Sequence, residues 1–311
     1  MYPELMSGAR TELEERFGHL LDKVPLLAQR HDLAELSGGI TNRNLRVTTP
    51  ERDYVVRISS NDSGLLSIDR GAEYANSSIA AAIGIGAKVY EYLPNDGLLV
   101  IGFIDGKTFD ADEVSRNLER IAKSCRQLHS ARPFTRDFDM FTIQQSYLKI
   151  VQERGFKLPG DYLDFANKVD QMKRALAILD DGKVPCNNDL LPANFIDDGN
   201  KIWLIDYEYS GNNDACFELG NIWAEAKMDS DQLEELVTAY YLASRPEKVA
   251  RAWLFALLAR YGWTLWASIQ DSISAIDFDF WSWGLEKYDQ AKRDFTSNEF
   301  LENLERAANA H

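Results

Sequence analysis

The chain has 311 residues, 45% of them hydrophobic, which is enough for one large domain or two packed lobes around substantial cores. Its formal net charge of -15 speaks against wrapping nucleic acid or adhering to anionic lipid, because both need lysine and arginine in excess. Cys125, Cys186 and Cys216 are odd in number and widely spaced, and the four histidines form no ligand-spaced cluster with them, so neither a disulfide framework nor a zinc knuckle is expected.

The opening residues, MYPELMSGARTELEERFG, have neither a basic start nor an apolar core, so no secretion signal is expected and the cytosol is the default compartment. Residues 9–30 carry apolar side chains at helical spacing: Leu13, Phe17, Leu20, Leu21 and Val24. The period then changes. LAELSGGITNRNLRVTT and DYVVRISS alternate as strands do, joined through glycines 38 and 39 and through the Pro50 turn. An alanine-rich helix over 69–83 stops at Gly84 and Gly86, and two strands follow, KVYEYLP and LLVIGFI, linked by the turn NDG. Beyond residue 105 the pattern turns mainly helical, with helices expected over 112–130, 142–154, 161–180, 231–244, 248–270 and 284–309. The most apolar window, VARAWLFALLARYGWTLWASIQ, is interrupted by Arg251, Arg260 and Gln270, which predicts a buried helix and no membrane span. The expectation is therefore a small lobe of about five strands over residues 1–104, a hinge at Gly102 to Asp105, and a larger helical lobe over residues 105–311.

The strand signals in the second half flank CNNDLLPANF, residues 186–195. NFIDDGNKIWLID reads as a hairpin, since Asp-Gly is a preferred reverse-turn pair. Pairing outward from that turn brings Asn194 and Asp206 to one open end, with Asp189 a short loop away. Hard cations such as Mg2+ take oxygen ligands, so a carboxylate and an amide suit one whose remaining ligands are water and substrate phosphates. The spacing Asp189-x4-Asn194 with a later strand ending in Asp206 matches the kinase catalytic-loop template, in which the first Asp is the base and the others hold metal. In the first half, SGGITNRNLRV places small and polar residues at a bend where backbone amides can approach phosphates. Arg57 is a lone charge in an apolar strand, and Glu73 on the following helix is its available partner.

On these residues the chain resembles the choline/ethanolamine kinases, within the aminoglycoside phosphotransferase-like and protein-kinase-like enzymes. LSGGITNRNLRV, VVRI, DRGAEYANSSIAAAIGIGAKVY, CNNDLLPANF, WLIDYEYSGNNDACFELGNIWAE and WTLWASIQDSISAIDFDFW occur in the family's order. The resemblance implies an α+β, bilobal protein-kinase-like fold with a small antiparallel-sheet N-terminal lobe and a larger, mainly helical C-terminal lobe. It implies an enzyme dependent on ATP and Mg2+ that phosphorylates the hydroxyl of choline or a related small cationic amino alcohol. By position, Asp189 is the implied catalytic base, Asn194 and Asp206 the metal ligands, and Arg57 with Glu73 the phosphate-positioning pair. Gly38, Gly39 and Asn42 fall in the implied phosphate loop, and Gly102, Phe103 and Ile104 in the hinge around adenine. Tyr209, Trp263, Trp266, Phe280 and Trp283 are the implied walls of an ammonium pocket, with Glu208, Glu225 or Asp206 supplying negative charge. One position departs from the family: Asn187 stands where a histidine usually supports the metal-binding strand. Two alternatives stay open, an aminoglycoside or other amino-compound phosphotransferase, and a non-catalytic pseudokinase that binds ligand without turnover.

Overall fold

Proline and strand alternation shape the first third of the molecule. The computed structural model describes residues 3–36, 41–59 and 61–309. Helix α1 (Pro3–Leu21) ends short of the expected 9–30, because Pro25 lacks a backbone donor and instead begins a short 3-10 turn, Pro25–Leu27. Strands β1 (Asp32–Leu36), β2 (Asn42–Thr48) and β3 (Asp53–Ser59) precede helix α2 (Arg70–Ala82), and β4 (Val89–Leu93) and β5 (Leu98–Gly102) follow it. They form one antiparallel sheet in the order β1-β2-β3-β5-β4. The β4–β5 turn closes on Gly97 with φ of 65°, a left-handed conformation that glycine enters without steric cost.

Alternation along the strands sorts side chains between two faces. Leu45, Val47, Tyr54, Val56, Leu98 and Val100 pack under Phe17, Leu21, Val24 and Leu27 in one core. Arg57, the neighbour of Val56, faces the other way, toward α2. That helix starts where Asp69 accepts a hydrogen bond from the Ala72 amide, 3.0 Å, and it buries Ile79 and Ala80 in the core of the helical half.

The chain then runs through β6 (Lys107–Thr108), α3 (Ala111–Arg116), α4 (Leu118–His129), α5 (Met140–Arg154), α6 (Ala166–Leu176), β7 (Val184–Cys186), β8 (Phe195–Asp197), β9 (Ile202–Leu204) and β10 (Gly211–Asn213). It finishes with α7 (Ala215–Glu225), α8 (Ser230–Tyr241), α9 (Pro246–Ile273), α10 (Phe280–Thr296) and α11 (Asn298–Ala308). The expected helix 112–130 is two helices, broken at Asn117, whose side chain hydrogen-bonds the Glu113 carbonyl in place of a continuing backbone bond. The expected 284–309 is broken in the same way at Ser297, which is extended. Residues 161–180 give a short 3-10 turn followed by α6.

Helix α9 is the axis of the larger core and is buried on all sides over most of its length. Its two interior arginines are paired, as buried charges must be: Arg251 with Asp214 and the Leu176 carbonyl, Arg260 with Asp294 at 2.7 Å. Among the described residues no helix is long and apolar enough to cross a membrane. The architecture is α+β in two lobes, an antiparallel sheet with its own small core and a larger helical body.

Candidate active site

The β8–β9 hairpin has the register its sequence predicts, Phe195 opposite Leu204 and Asp197 opposite Ile202, and the Ile205 amide extends it by donating to the Asn194 carbonyl at 3.0 Å. Asn194 and Asp206 therefore stand together at the open end. Asp206 is held at φ of 62° and Asn188 at 67°, left-handed conformations that persist only where the surroundings over-determine them.

The asparagines provide that constraint. Asn187, fully buried, donates from Nδ2 to the carbonyls of Ile205 (3.0 Å) and Asp206 (2.9 Å) and accepts from the Asp189 amide (3.1 Å). Asn188 donates to the Tyr209 carbonyl and accepts from Asn213. Asn194 donates to the Asp189 carbonyl at 2.7 Å. Beneath the loop, the buried carboxylate of Glu218 on α7 accepts from the amides of Asn187 (2.9 Å) and Asn188 (2.6 Å). His129 lies 3.4 Å from the same carboxylate and 3.6 Å from the Cys186 thiol, with its other nitrogen on the Tyr240 hydroxyl. Both Glu218 oxygens already hold loop amides, so this His-Cys-Glu group is hydrogen-bonded support for the loop.

Arg57 makes the expected ion pair with Glu73 and also reaches Asp206 at 2.7 Å and Glu208 at 3.8 Å. Burial opposes its charge, but Asp206, Glu73 and Glu208 together hold its pKa above the usual value. Arg70 joins the same carboxylates, 2.8 Å from Glu73 and 3.4 Å from Glu208. Burial and the neighbouring Asp206 nevertheless push the Glu208 carboxyl up to about 7 against the two arginines. Among the described residues Asp189 makes no ion pair, and burial with the charges of Asp206, Glu225 and Glu208 raises its carboxyl well above the usual range.

Two cavities meet at this end of the hairpin. One, about 1160 Å³, lies beneath the sheet and is lined by Val55, Arg57, Gly102, Phe103, Ile104 and Ile205. The other, about 700 Å³, lies against α9 and α10 and is lined by Asp189, Glu208, Tyr209, Glu225, Trp263, Trp266 and Trp283. Asn44, Ala193, Asn194 and Asp206 line both. The aromatic wall is rigid: the Trp266 indole donates to the Tyr209 hydroxyl at 2.7 Å, Tyr209 meets Trp263 edge-on at 5.1 Å, and Trp266 meets Trp283 at 5.6 Å.

The family model for choline/ethanolamine kinases matches residues 33–248. The chain belongs to the choline/ethanolamine kinase family. It is a phosphotransferase with an alcohol acceptor, a small-molecule kinase of the amino-alcohol type. Ethanolamine kinase 2 of Mus musculus is 27% identical over 284 residues, covering 81% of this chain and 73% of the relative. A choline/ethanolamine kinase family protein from Mesorhizobium loti has a TM-score of 0.84 at 28% identity, covering 95% of this chain and 99% of that one. A thermostable mutant of aminoglycoside phosphotransferase APH(4)-Ia, at TM-score 0.60 and 17% identity over 90% of this chain and 99% of that one, shares the fold. Both neighbours fit the bilobal kinase-like architecture.

Five expected site residues need separate comment. Gly38 and Gly39 lie outside the described residues. Asn42 does not present its side chain to the cavity beneath the sheet: its amide donates to Glu208 (2.6 Å) and accepts from Arg70 (2.8 Å), bracing the carboxylate at the aromatic cavity. Phe280 is fully buried behind Trp266, with ring centres 5.8 Å apart, and is not part of the lining. Glu208 offers less free charge than expected because two arginines and Asn42 hold it. Sequence reasoning missed Arg70, Glu218 and Lys287. For Glu218 a signal exists, a single carboxylate inside the apolar run ACFELGNIW, which demands a buried partner.

Proposed function

We propose that the chain transfers the γ-phosphoryl group of ATP, with Mg2+, to the hydroxyl of choline or a closely related amino alcohol. The single observation that carries this reading is the seam: Asn194 and Asp206 line both cavities, with Asp189 beside them in the aromatic one. Residues 1–104 are assigned as the nucleotide-binding lobe and 105–311 as the catalytic and acceptor-binding lobe, the cavity beneath the sheet taking the nucleotide. The Asn194 side-chain amide oxygen and the Asp206 carboxylate are hard oxygen donors, and that set suits magnesium. Bound there, the metal supplies positive charge to the phosphoryl oxygens.

The remaining work falls to the protein's own groups. The acceptor hydroxyl oxygen attacks the γ-phosphorus, the bond from phosphorus to the β–γ bridging oxygen breaks, and ADP leaves with those electrons. The hydroxyl proton passes to Asp189, whose raised pKa favours accepting it. Arg57, fixed by Glu73 and Asp206, positions phosphate charge from the sheet side. Tyr209, Trp263, Trp266 and Trp283 offer aromatic faces to an ammonium that has no proton to donate. Asn187 satisfies the loop in place of the family's histidine, which supports turnover over a purely binding role.

The test is a coupled ADP-release assay over choline, ethanolamine, thiamine, aminoglycosides and sugars, with and without magnesium. Turnover on an amino alcohol, abolished in Asp189→Asn, is the expected result. Turnover confined to aminoglycosides or sugars, or none above the Asp189→Asn protein, refutes it.

A further inference from the structure

A cation belonging to the protein already stands against two residues that line the acceptor cavity. Lys287, one helical turn beyond Trp283 on α10, places Nζ 4.3 Å from the centre of the Trp283 ring and 2.5 Å from Glu225 Oε1. Trp283 and Glu225 both line the aromatic cavity. An aromatic face and a nearby carboxylate are the two features by which a protein recognises an ammonium group, and here one lysine engages both. Of the other carboxylates lining that cavity, Asp206 pairs with Arg57, Glu208 is held by Asn42, Arg57 and Arg70, and Asp189 is assigned above as the base. Glu225 is therefore the carboxylate whose charge an incoming cation would meet, and a single flexible side chain stands in the way.

We propose that Lys287 is a specificity-determining residue: a resident cation at the Glu225–Trp283 end of the cavity that competes with the acceptor's ammonium, so that acceptor binding is an exchange of one cation for another. This rests on the amino-alcohol reading of the cavity given above. Exchange is physically accessible because the lysine ammonium is a compact, strongly hydrated charge on a four-carbon stem, and its side chain keeps 13% of its exposure. It can swing into water as an acceptor's ammonium arrives to replace it at Glu225. A bound acceptor then inherits Glu225. With Lys287 in place the two cations repel, and only an acceptor that also gains from the Trp263, Trp266 and Tyr209 faces displaces it.

The experiment uses the full chain and two probes at fixed ionic strength. Tetramethylammonium chloride, which has no hydroxyl to phosphorylate, is titrated against tryptophan fluorescence, and the KM is measured for whichever amino alcohol is turned over. Removing the charge with Lys287→Met should lower both the tetramethylammonium Kd and the acceptor KM about fivefold, the scale of one cation–aromatic contact. Lys287→Gln should do the same, and Lys287→Arg should restore the parent values. In a Glu225→Gln background, Lys287→Met should give less than half of that gain. Unchanged or weaker binding in both neutral variants overturns the proposal and makes Lys287 a brace for Glu225. A parent protein that neither binds tetramethylammonium nor turns over an amino alcohol overturns both this inference and the functional reading beneath it, whereas a parent that does both while the variants match it removes this inference alone.

Discussion

Replacing Asn187 by alanine removes the side chain that ties the 205–206 backbone, at the end of the β8–β9 hairpin, to the loop carrying Asp189. The amide makes three hydrogen bonds in a fully buried place, to the carbonyls of Ile205 and Asp206 and from the amide of Asp189. Alanine leaves these backbone groups without that partner. At about 1 kcal/mol for each lost bond, the variant should be destabilised by about 3 kcal/mol. The same change frees Asp206 from the contact that helps hold it at φ of 62°, so relaxation toward ordinary backbone conformations should move its carboxylate. Because displacements of about 1 Å in a reacting constellation cost on the order of 100-fold, kcat should fall by at least about tenfold. Urea unfolding measures the first effect and the ADP-release assay the second. A loss below about 1 kcal/mol together with parental kcat would refute the claim that Asn187 does the work of the family's histidine.

Asp189→Asn should reduce turnover by about 100- to 10,000-fold, the range for loss of a general base, while raising the melting temperature at pH 8. The sign follows from its raised pKa: a carboxyl that binds its proton more tightly when folded supports the fold below its unfolded pKa, and that support disappears as pH rises through the folded value. The stability gain of Asp189→Asn should accordingly vanish in acid, and a variant no more stable than the parent at pH 8 would contradict the burial argument. Glu208, pushed up to about 7, should make the parent lose stability as pH rises from about 4.5 to about 7; thermal melts of Glu208→Gln should show a flatter slope across that window. Gly220→Ala should cost about 2 kcal/mol or more in urea unfolding, because a β-carbon there would lie 2.1 Å from the Ala252 carbonyl oxygen and force apart α7 and α9, the helices carrying Glu218, Glu225 and the tryptophans.

Whatever depends on short sequence distance was legible in the chain. Strand alternation gave the five-stranded sheet, Asp-Gly set the hairpin register, and that register alone put Asn194 and Asp206 at one end. Arg57 in an apolar strand required a carboxylate, and the next helix offered one. Helix ends were less legible, since Asn117 and Ser297 break helices through local side-chain and backbone competition that apolar periodicity does not register.

Contacts between distant segments were decided by the tertiary structure. A charge pattern does not say which carboxylate each arginine reaches, so the sharing of Glu73 and Glu208 between Arg57 and Arg70 emerged only from packing β3 against α2 and the 206–208 loop. Periodicity identifies Phe280 and Trp283 as helical and aromatic, but the rotation of α10 against α9 turns Trp283 into the cavity and Phe280 behind Trp266. The same rotation brings Lys287 to Glu225, residues 62 positions apart, because a half-buried lysine and a half-buried carboxylate lower their joint desolvation cost by meeting.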